Sequence, residues 1–371
     1  MTDAFKVLAL GGDGIGPEVV GAGLELLEAV SDHAGLSIEI EEDFLHGAAY
    51  DRYGTFCRDE TVQAAKAADA VLVGAVGGPR YDGLFPDGTP AEKDALVRLR
   101  QELDVFAGLR PARAYDALLA RTAFRDEVVR GADIMVVREQ CSGIYFGEPR
   151  GIDLREDGTQ VGYDANFYTS REIERVVRVG FELAGRRDGR LVSIDKANVM
   201  ESGTLWRRIA TEIGAQAYPD IELTHLYADN ALFQLASTPG DFDVIVGDNL
   251  FGDLISDMTG AISGSLGMLP SASLAALAPP GERSTPGIYE PVHGSAPDIA
   301  GQGIANPIGT LLSISMMFEY AFARSDLARH IESAVEAVIE SGPMTPDVGG
   351  EASTREVTAA VIERYVTQTP P

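Results

Sequence analysis

The sequence predicts an α/β fold, and three observations carry that expectation. Short β-branched runs alternate along the chain with longer segments of helical period. The runs are apolar at consecutive positions, as in strands covered on both faces, and lack the in-out alternation of a half-exposed sheet. Between them fall clusters of glycine, 41 among 371 residues, where tight turns and close approach of backbone to a ligand need them. The length exceeds the roughly 250 to 300 residues at which one hydrophobic core stops growing, so two domains or one interrupted domain are expected.

Strands are predicted at Lys6 to Leu10, Ala70 to Val73, Ile134 to Val137, Leu191 to Ile194 and Val244 to Val246. Pro17 stands at a favourable first helical position ahead of Val20, Leu24 and Leu27, and Ile173, Val177, Phe181 and Ala184 mark a second helix. Ser353 with Glu356 forms the capping box of a late helix. Composition shows no domain boundary; the one linker-like stretch, Leu277 to Gly287, reads as a surface loop.

Thirty basic against 57 acidic residues leave a formal net charge of −27, which repels phosphate and argues against a nucleic-acid partner. Cys57 and Cys141 are the only cysteines, too few for a disulfide framework and without CxxC spacing, so a reducing compartment is expected. The opening MTDAFKVLALGGDG has neither the basic start nor the apolar length of a signal peptide or membrane span. A cytoplasmic protein without a membrane partner is therefore expected.

The sequence contains no P-loop, G-x-S-x-G elbow or H-E-x-x-H pair. The segment Gly11-Gly12-Asp13-Gly14-Ile15-Gly16-Pro17-Glu18 joins a strand to a helix, but Pro17 stands where the third glycine of a Rossmann fingerprint belongs. It is either a tight turn or a ligand loop. More specific is Gly247 to Asp257, where helical spacing puts Asp253 and Asp257 on one face. Two like charges there are unfavourable unless a cation bridges them, and oxygen-only ligands suit Mg²⁺ or Mn²⁺. Arg100, Arg110 and Arg138 supply bidentate carboxylate binders, Arg138 at a strand end where α/β proteins place ligands. Lys196, just past a strand, and Tyr145 are candidate proton-transfer groups.

These residues fall in motifs: GDGIGPE, GAVGGP, RLRQELDVFAGLRP, VRE with GIYFGEPRG, DKANVMES, GDNLFGDLISD and EPVHGSAPDIAGQGIANP. Their order resembles that of the β-decarboxylating dehydrogenases, the isocitrate/isopropylmalate dehydrogenase family, over essentially the whole chain. The resemblance implies a two-domain α/β/α structure with a large mixed sheet, not a Rossmann fold. Residues 1–106 with 264–371 would form a discontinuous cofactor-binding domain. Residues 107–263 would carry the dimer contacts and the metal and substrate residues. It further implies a homodimer with shared active sites, NAD as cofactor, and Mg²⁺ or Mn²⁺. Arg100, Arg110 and Arg138 would hold the malate carboxylates. Asp253 and Asp257 would bind metal together with Asp229 of the partner subunit, which also contributes Lys196 and Asn198 around the substrate. Lys196 and Tyr145 are the implied catalytic residues, and His293, Gly294, Ser295, Ala296, Asp298 and Asn306 would surround the adenosine. Asp298 and Ile299 stand where NADP-dependent relatives carry lysine and tyrosine.

Substrate choice in the family depends on the segment before Arg100, where isocitrate enzymes present serine and asparagine and this chain has Leu96 and Val97. Burying an isopropyl group there gains roughly 2 kcal/mol at about 0.8 per CH₂, whereas a third carboxylate would lack a partner. The implied reaction is the NAD-dependent oxidative decarboxylation of 3-isopropylmalate to 2-oxoisocaproate and CO₂ in leucine biosynthesis. Another alkylmalate or a tartrate is the alternative; a binder without turnover would need neither Lys196 nor Tyr145. Lys93 and Gly108 depart from the family pattern, which has an acid and an asparagine there.

Overall fold

The computed structural model describes residues 4–85 and 88–368. Its strands are β1 Ala4–Gly12, β2 Ser37–Asp43, β3 Ala70–Ala75, β4 Ala107–Arg113, β5 Asp133–Glu139, β6 Arg150–Leu154, β7 Gln160–Asp164, β8 Arg190–Asp195, β9 Glu222–Tyr227, β10 Val244–Gly247, β11 Pro270–Leu274 and β12 Gly287–Pro291. All but β6 and β7 join one ten-stranded sheet in the order β2-β1-β3-β12-β11-β4-β5-β10-β8-β9. The strands β2, β1, β3 and β12 are mutually parallel, as are β5, β10, β8 and β9. Antiparallel pairing of β11 with β12 and β4, and of β4 with β5, joins the two groups, so the sheet is mixed. The five strands expected from sequence lie inside β1, β3, β5, β8 and β10. The stretch Leu277 to Gly287 covers most of the connection of the β11–β12 hairpin and ends on the first residue of β12.

Period-two alternation divides each strand between the two faces. One core is continuous beneath the sheet, from Val7 and Ala9 in β1 to Val137 in β5 and Val246 in β10. On the other face the core is split. Leu8, Leu10, Val71 and Val73 pack with the helix Ala95–Leu103, while Ile134, Val136 and Ile245 pack with the helix Asn249–Ser263. The polar site described below lies between these two cores.

The helices that carry site residues have local reasons to start where they do. Asp94 caps Ala95–Leu103 by accepting the N–H of Leu96 and Val97 at 2.8 and 3.2 Å. Asp248 caps Asn249–Ser263 by accepting the N–H of Phe251 at 2.8 Å. Each such cap contributes about 1 kcal/mol. The β6–β7 hairpin stands apart from the main sheet and presents Ile152 and Leu154, 76% and 71% exposed. Among the described residues, no helix is long and apolar enough to cross a membrane.

Candidate active site

Arg110 and Arg138 reach the face of the split core because their neighbours Leu109 and Val137 point into the continuous one. The helix Asn249–Ser263 approaches β5 closely there, since a Cβ on Gly252 would lie 3.0 Å from the Arg138 side chain. Arg138 donates through Nε and Nη2 to Asn249 Oδ1 at 3.2 and 2.7 Å, and through Nη1 to Asp253. Arg110 Nη1 donates to Ser256 Oγ at 2.8 Å and lies 3.2 and 3.3 Å from the carboxylates of Asp253 and Asp257. A guanidinium therefore bridges the two acids that helical spacing puts on one face. Tyr145, on the loop after β5, donates its hydroxyl to Asp253 Oδ2 at 3.1 Å, and the Arg138 guanidinium lies 5.5 Å from its ring centre.

Arg100, on the helix Ala95–Leu103, donates to Glu290 of β12 at 2.6 Å, and both side chains are buried. The family resemblance gives Glu290 only as the first residue of a cofactor loop running to Asn306, at the head of the EPVHG motif, and not as the partner of Arg100. Electrostatics follow from this enclosure. Burial, reinforced by the neighbouring Arg110 charge, pulls Arg138 down to about 10. Burial and the Asp253 charge hold Tyr145 above the ordinary phenol range, so it stays protonated at neutral pH. The same two causes raise Asp257.

Lys196 and Asp229 form a second cluster. Lys196 follows β8, Asp229 lies in the first turn of the helix Ala228–Ser237, and the two side chains pair. The hydrogen bond from Lys196 holds the Asp229 carboxyl below its usual range. Asn198 is exposed beside them, as are Val199 and Phe233. Among the described residues no hydrogen bond or ion pair links this cluster to Arg110, Tyr145 or Asp253.

No three His, Cys, Asp or Glu side chains converge as a metal centre among the described residues. Asp253 and Asp257 nevertheless fit Mg²⁺ or Mn²⁺, which take one or two carboxylates and complete their shell with water, substrate or a further chain. Asp257 keeps an opening, its side chain being 57% exposed.

The segment after β12 packs on the GDGIGPE turn: Ile15 N–H donates to Ser295 O at 2.8 Å, and a Cβ on Gly14 would lie 1.9 Å from that oxygen. His293 Nδ1 is 2.9 Å from Gly294 O, while its buried Nε2 has no partner, and burial lowers its pKa so that the ring is neutral. Gly294 and Asp298 are exposed, and the Asp298 carboxylate has no hydrogen bond or ion pair with a described residue. An orphaned imidazole nitrogen and a free carboxylate are both acceptors, and they fit the amino and hydroxyl donors of an adenosine. The Asn306 side chain has partners within the chain: its amide donates to Asp347 at 3.0 Å and its oxygen accepts from Ile308 N–H at 3.0 Å. Leu96 is 8% exposed at the edge of the core, with Val97 more open beside it.

Two departures from the family pattern acquire reasons. A side chain on Gly108 would start 2.4 Å from the Gln140 amide, so buried Gln140 fills the space an asparagine would use. Glu92 is spent on a capping box with Thr89, accepting its N–H at 2.7 Å, which leaves Lys93 exposed.

Buried arginines facing paired aspartates and a protonated tyrosine at a sheet end define a carboxylate-handling α/β enzyme. The family described as isocitrate/isopropylmalate dehydrogenase matches residues 6–361, and the chain belongs to it, a family of decarboxylating oxidoreductases. It is 48% identical over 348 residues to the 3-isopropylmalate dehydrogenase of Gluconobacter oxydans, covering 94% of this chain and 93% of that one. Identity to the 3-isopropylmalate dehydrogenase of Ruegeria pomeroyi is 50% over 364 residues, covering 97% and 98%. Among solved structures, isocitrate dehydrogenase from Methylococcus capsulatus superposes with a TM-score of 0.84 at 31% identity, covering 98% of this chain and 100% of that one. The β-decarboxylating dehydrogenase of Thermococcus kodakarensis gives 0.76 at 31% identity, covering 97% and 96%.

Proposed function

We propose that the protein is an NAD-dependent 3-isopropylmalate dehydrogenase of leucine biosynthesis, yielding 2-oxoisocaproate and CO₂. The observation that carries this reading is the convergence of Arg110, Arg138 and Tyr145 on Asp253 in a chain with half its residues identical to a 3-isopropylmalate dehydrogenase.

Arg100, Arg110 and Arg138 bind the malate carboxylates, and Leu96 with Val97 offers the apolar surface for the isopropyl group. A divalent ion on Asp253 and Asp257 would polarise the C2 oxygen and stabilise the negative charge left by CO₂, and NAD in the loop from His293 to Asn306 would accept the hydride. Lys196 moves the C2 hydroxyl proton, directly or through water. As the β-carboxylate leaves, the C–C bonding pair enters an enol, and Tyr145 delivers its phenolic proton to C3. Asp298 favours NAD, because its carboxylate accepts from ribose hydroxyls and repels a 2′-phosphate.

We assign residues 1–106 with 264–371 to one domain and 107–263 to the other. This division leaves β2, β1, β3, β12 and β11 on one side and β4, β5, β10, β8 and β9 on the other. We also assign a homodimer in which Lys196, Asn198 and Asp229 serve the site of the partner subunit; the support is that no hydrogen bond or ion pair among the described residues joins them to Tyr145 or Asp253, together with the exposed apolar side chains of Val199 and Phe233. The two unpaired cysteines suit a cytoplasmic location.

The test is NADH formation with Mg²⁺ and racemic 3-isopropylmalate, with isocitrate, tartrate and malate as competitors and NADP as alternative cofactor. The highest kcat/KM is expected for 3-isopropylmalate with NAD, and excess EDTA should abolish it. A higher value on another acid would reassign the substrate.

A further inference from the structure

Glu139 is the last residue of β5 and points away from Arg138, to the opposite face of the sheet. It is 0% exposed. Its carboxylate accepts the backbone N–H of Cys141 and of Ser142, each at 2.9 Å, and the Tyr168 hydroxyl at 3.3 Å. These contacts lie at the start of the turn that carries Tyr145.

The hydrogen bonds close into a ring. The Ser142 carbonyl accepts from the Asn249 side-chain amide at 3.0 Å, and the Asn249 backbone N–H donates to the Tyr168 hydroxyl at 2.9 Å. Asn249 opens the helix that bears Asp253, and its Oδ1 receives Arg138. Glu139, Ser142, Asn249 and Tyr168 thus fix the Tyr145 turn to the acid and arginine that Tyr145 faces. Gly143, at φ +78°, permits this packing, because a Cβ there would lie 2.3 Å from the Tyr168 hydroxyl.

We infer that Glu139 is a positioning residue for the proton-donating tyrosine, acting from the far face of the sheet through the turn from Cys141 to Tyr145. A carboxylate meets the requirement because it presents two acceptor oxygens to two N–H donors; an amide would face one of them with its own N–H. Burial pushes Glu139 up to about 7, a cost of enclosing the carboxyl that its two backbone N–H donors and Arg175, 3.9 Å away, offset in part. The inference rests on the proposed role of Tyr145.

The test is a double-mutant cycle of Glu139→Gln with Tyr145→Phe, read by steady-state and single-turnover NADH formation on 3-isopropylmalate. Displacement of a reacting group by about 1 Å costs on the order of a hundredfold, so Glu139→Gln should lower kcat by about ten- to a hundredfold and leave KM within about threefold. In the Tyr145→Phe background the same substitution should change kcat by less than about threefold, a non-additivity that a general loss of structure does not produce. Should Glu139→Gln fail to fold, Tyr168→Phe breaks the ring while leaving Glu139 in place and should show the same non-additivity. Equal losses in both backgrounds, or a raised KM with unchanged kcat, would overturn the role of Glu139 alone. Absence of wild-type turnover would overturn the functional reading with it.

Discussion

The Arg110–Asp253 cluster and the Lys196–Asp229 pair use the same chemistry in opposite surroundings. Side chains of Arg110 and Arg138 are 8% and 5% exposed, whereas that of Asp229 is 70% exposed. In the first cluster every charge is answered within the chain: Arg110 bridges two aspartates, Arg138 is shared between Asn249 and Asp253, and Tyr145 closes on Asp253. In the second, exposed Asp229 pairs with half-buried Lys196 beside exposed Val199 and Phe233, where such a pair adds little to stability. The difference is that the first half of the proposed machinery finds its partners within one chain, whereas the second meets them only in the proposed homodimer.

The sharpest way to break that comparison is complementation. Lys196→Met and Asp253→Asn homodimers should each lose at least about a thousandfold in kcat, as expected for removal of a proton-transfer group or a metal ligand. Co-refolded at equal ratio they should recover about a quarter of wild-type activity, because half the dimers are mixed and each mixed dimer has one site free of both lesions. No recovery, with subunit exchange verified by mass spectrometry, would mean that each site is built from one chain.

A smaller effect is expected at the hairpin. Ile152→Asp with Leu154→Asp puts charge on the hairpin that stands apart from the main sheet, which we assign to the homodimer interface because both apolar side chains are uncovered in one chain, and should weaken association by at least about a hundredfold. Light scattering should then show monomers that keep native circular dichroism but have lost turnover, since Lys196 no longer reaches a partner. Active monomers would detach the second cluster from catalysis.

The smallest effect concerns the cost of enclosing acids in the first cluster. Burial raises Asp248 to about 6 from 3.8, while it caps the helix bearing Asp253. The folded chain therefore binds this proton more tightly than the unfolded one, so this group's contribution to stability falls as pH rises from about 4 to about 6. Asp248→Asn keeps a capping oxygen and removes that fall. Its stability relative to wild type should rise by up to about 3 kcal/mol between pH 4 and pH 7, read from urea midpoints. A difference independent of pH would show that Asp248 is not held protonated by its surroundings.

Legibility in the sequence followed unbroken apolar runs, which the buried strands β11 (PSASL) and β12 (GIYEP) do not have. Strands β1, β3, β5, β8 and β10 were read because strands covered on both faces must be apolar at successive positions. By contrast β2 (SIEIEED) and the β6–β7 hairpin are exposed and polar enough to resemble loops. Strand β4 (AGLRPAR) escaped because Arg110 and Pro111 interrupt its apolar run. Motif order brought the candidate site residues to attention but not their partners: Glu290 meets Arg100 across 190 positions, and Glu139 sits beside Arg138 in sequence yet on the opposite face of the sheet.

By itself the sequence determined part of what local geometry can settle: five buried strands, two helices, the Ser353–Glu356 cap of a third, and that Asp253 and Asp257 share a helical face, because a spacing of four residues has one consequence on any helix. Tertiary structure alone decided that an arginine lies across those two aspartates, that Gln140 replaces a side chain at position 108, and that Tyr145 and Lys196 fall in separate clusters. These outcomes depend on strand order and on how closely a helix lies against its sheet. Both are set by the burial of apolar surface summed over the whole chain, which no local window of sequence contains.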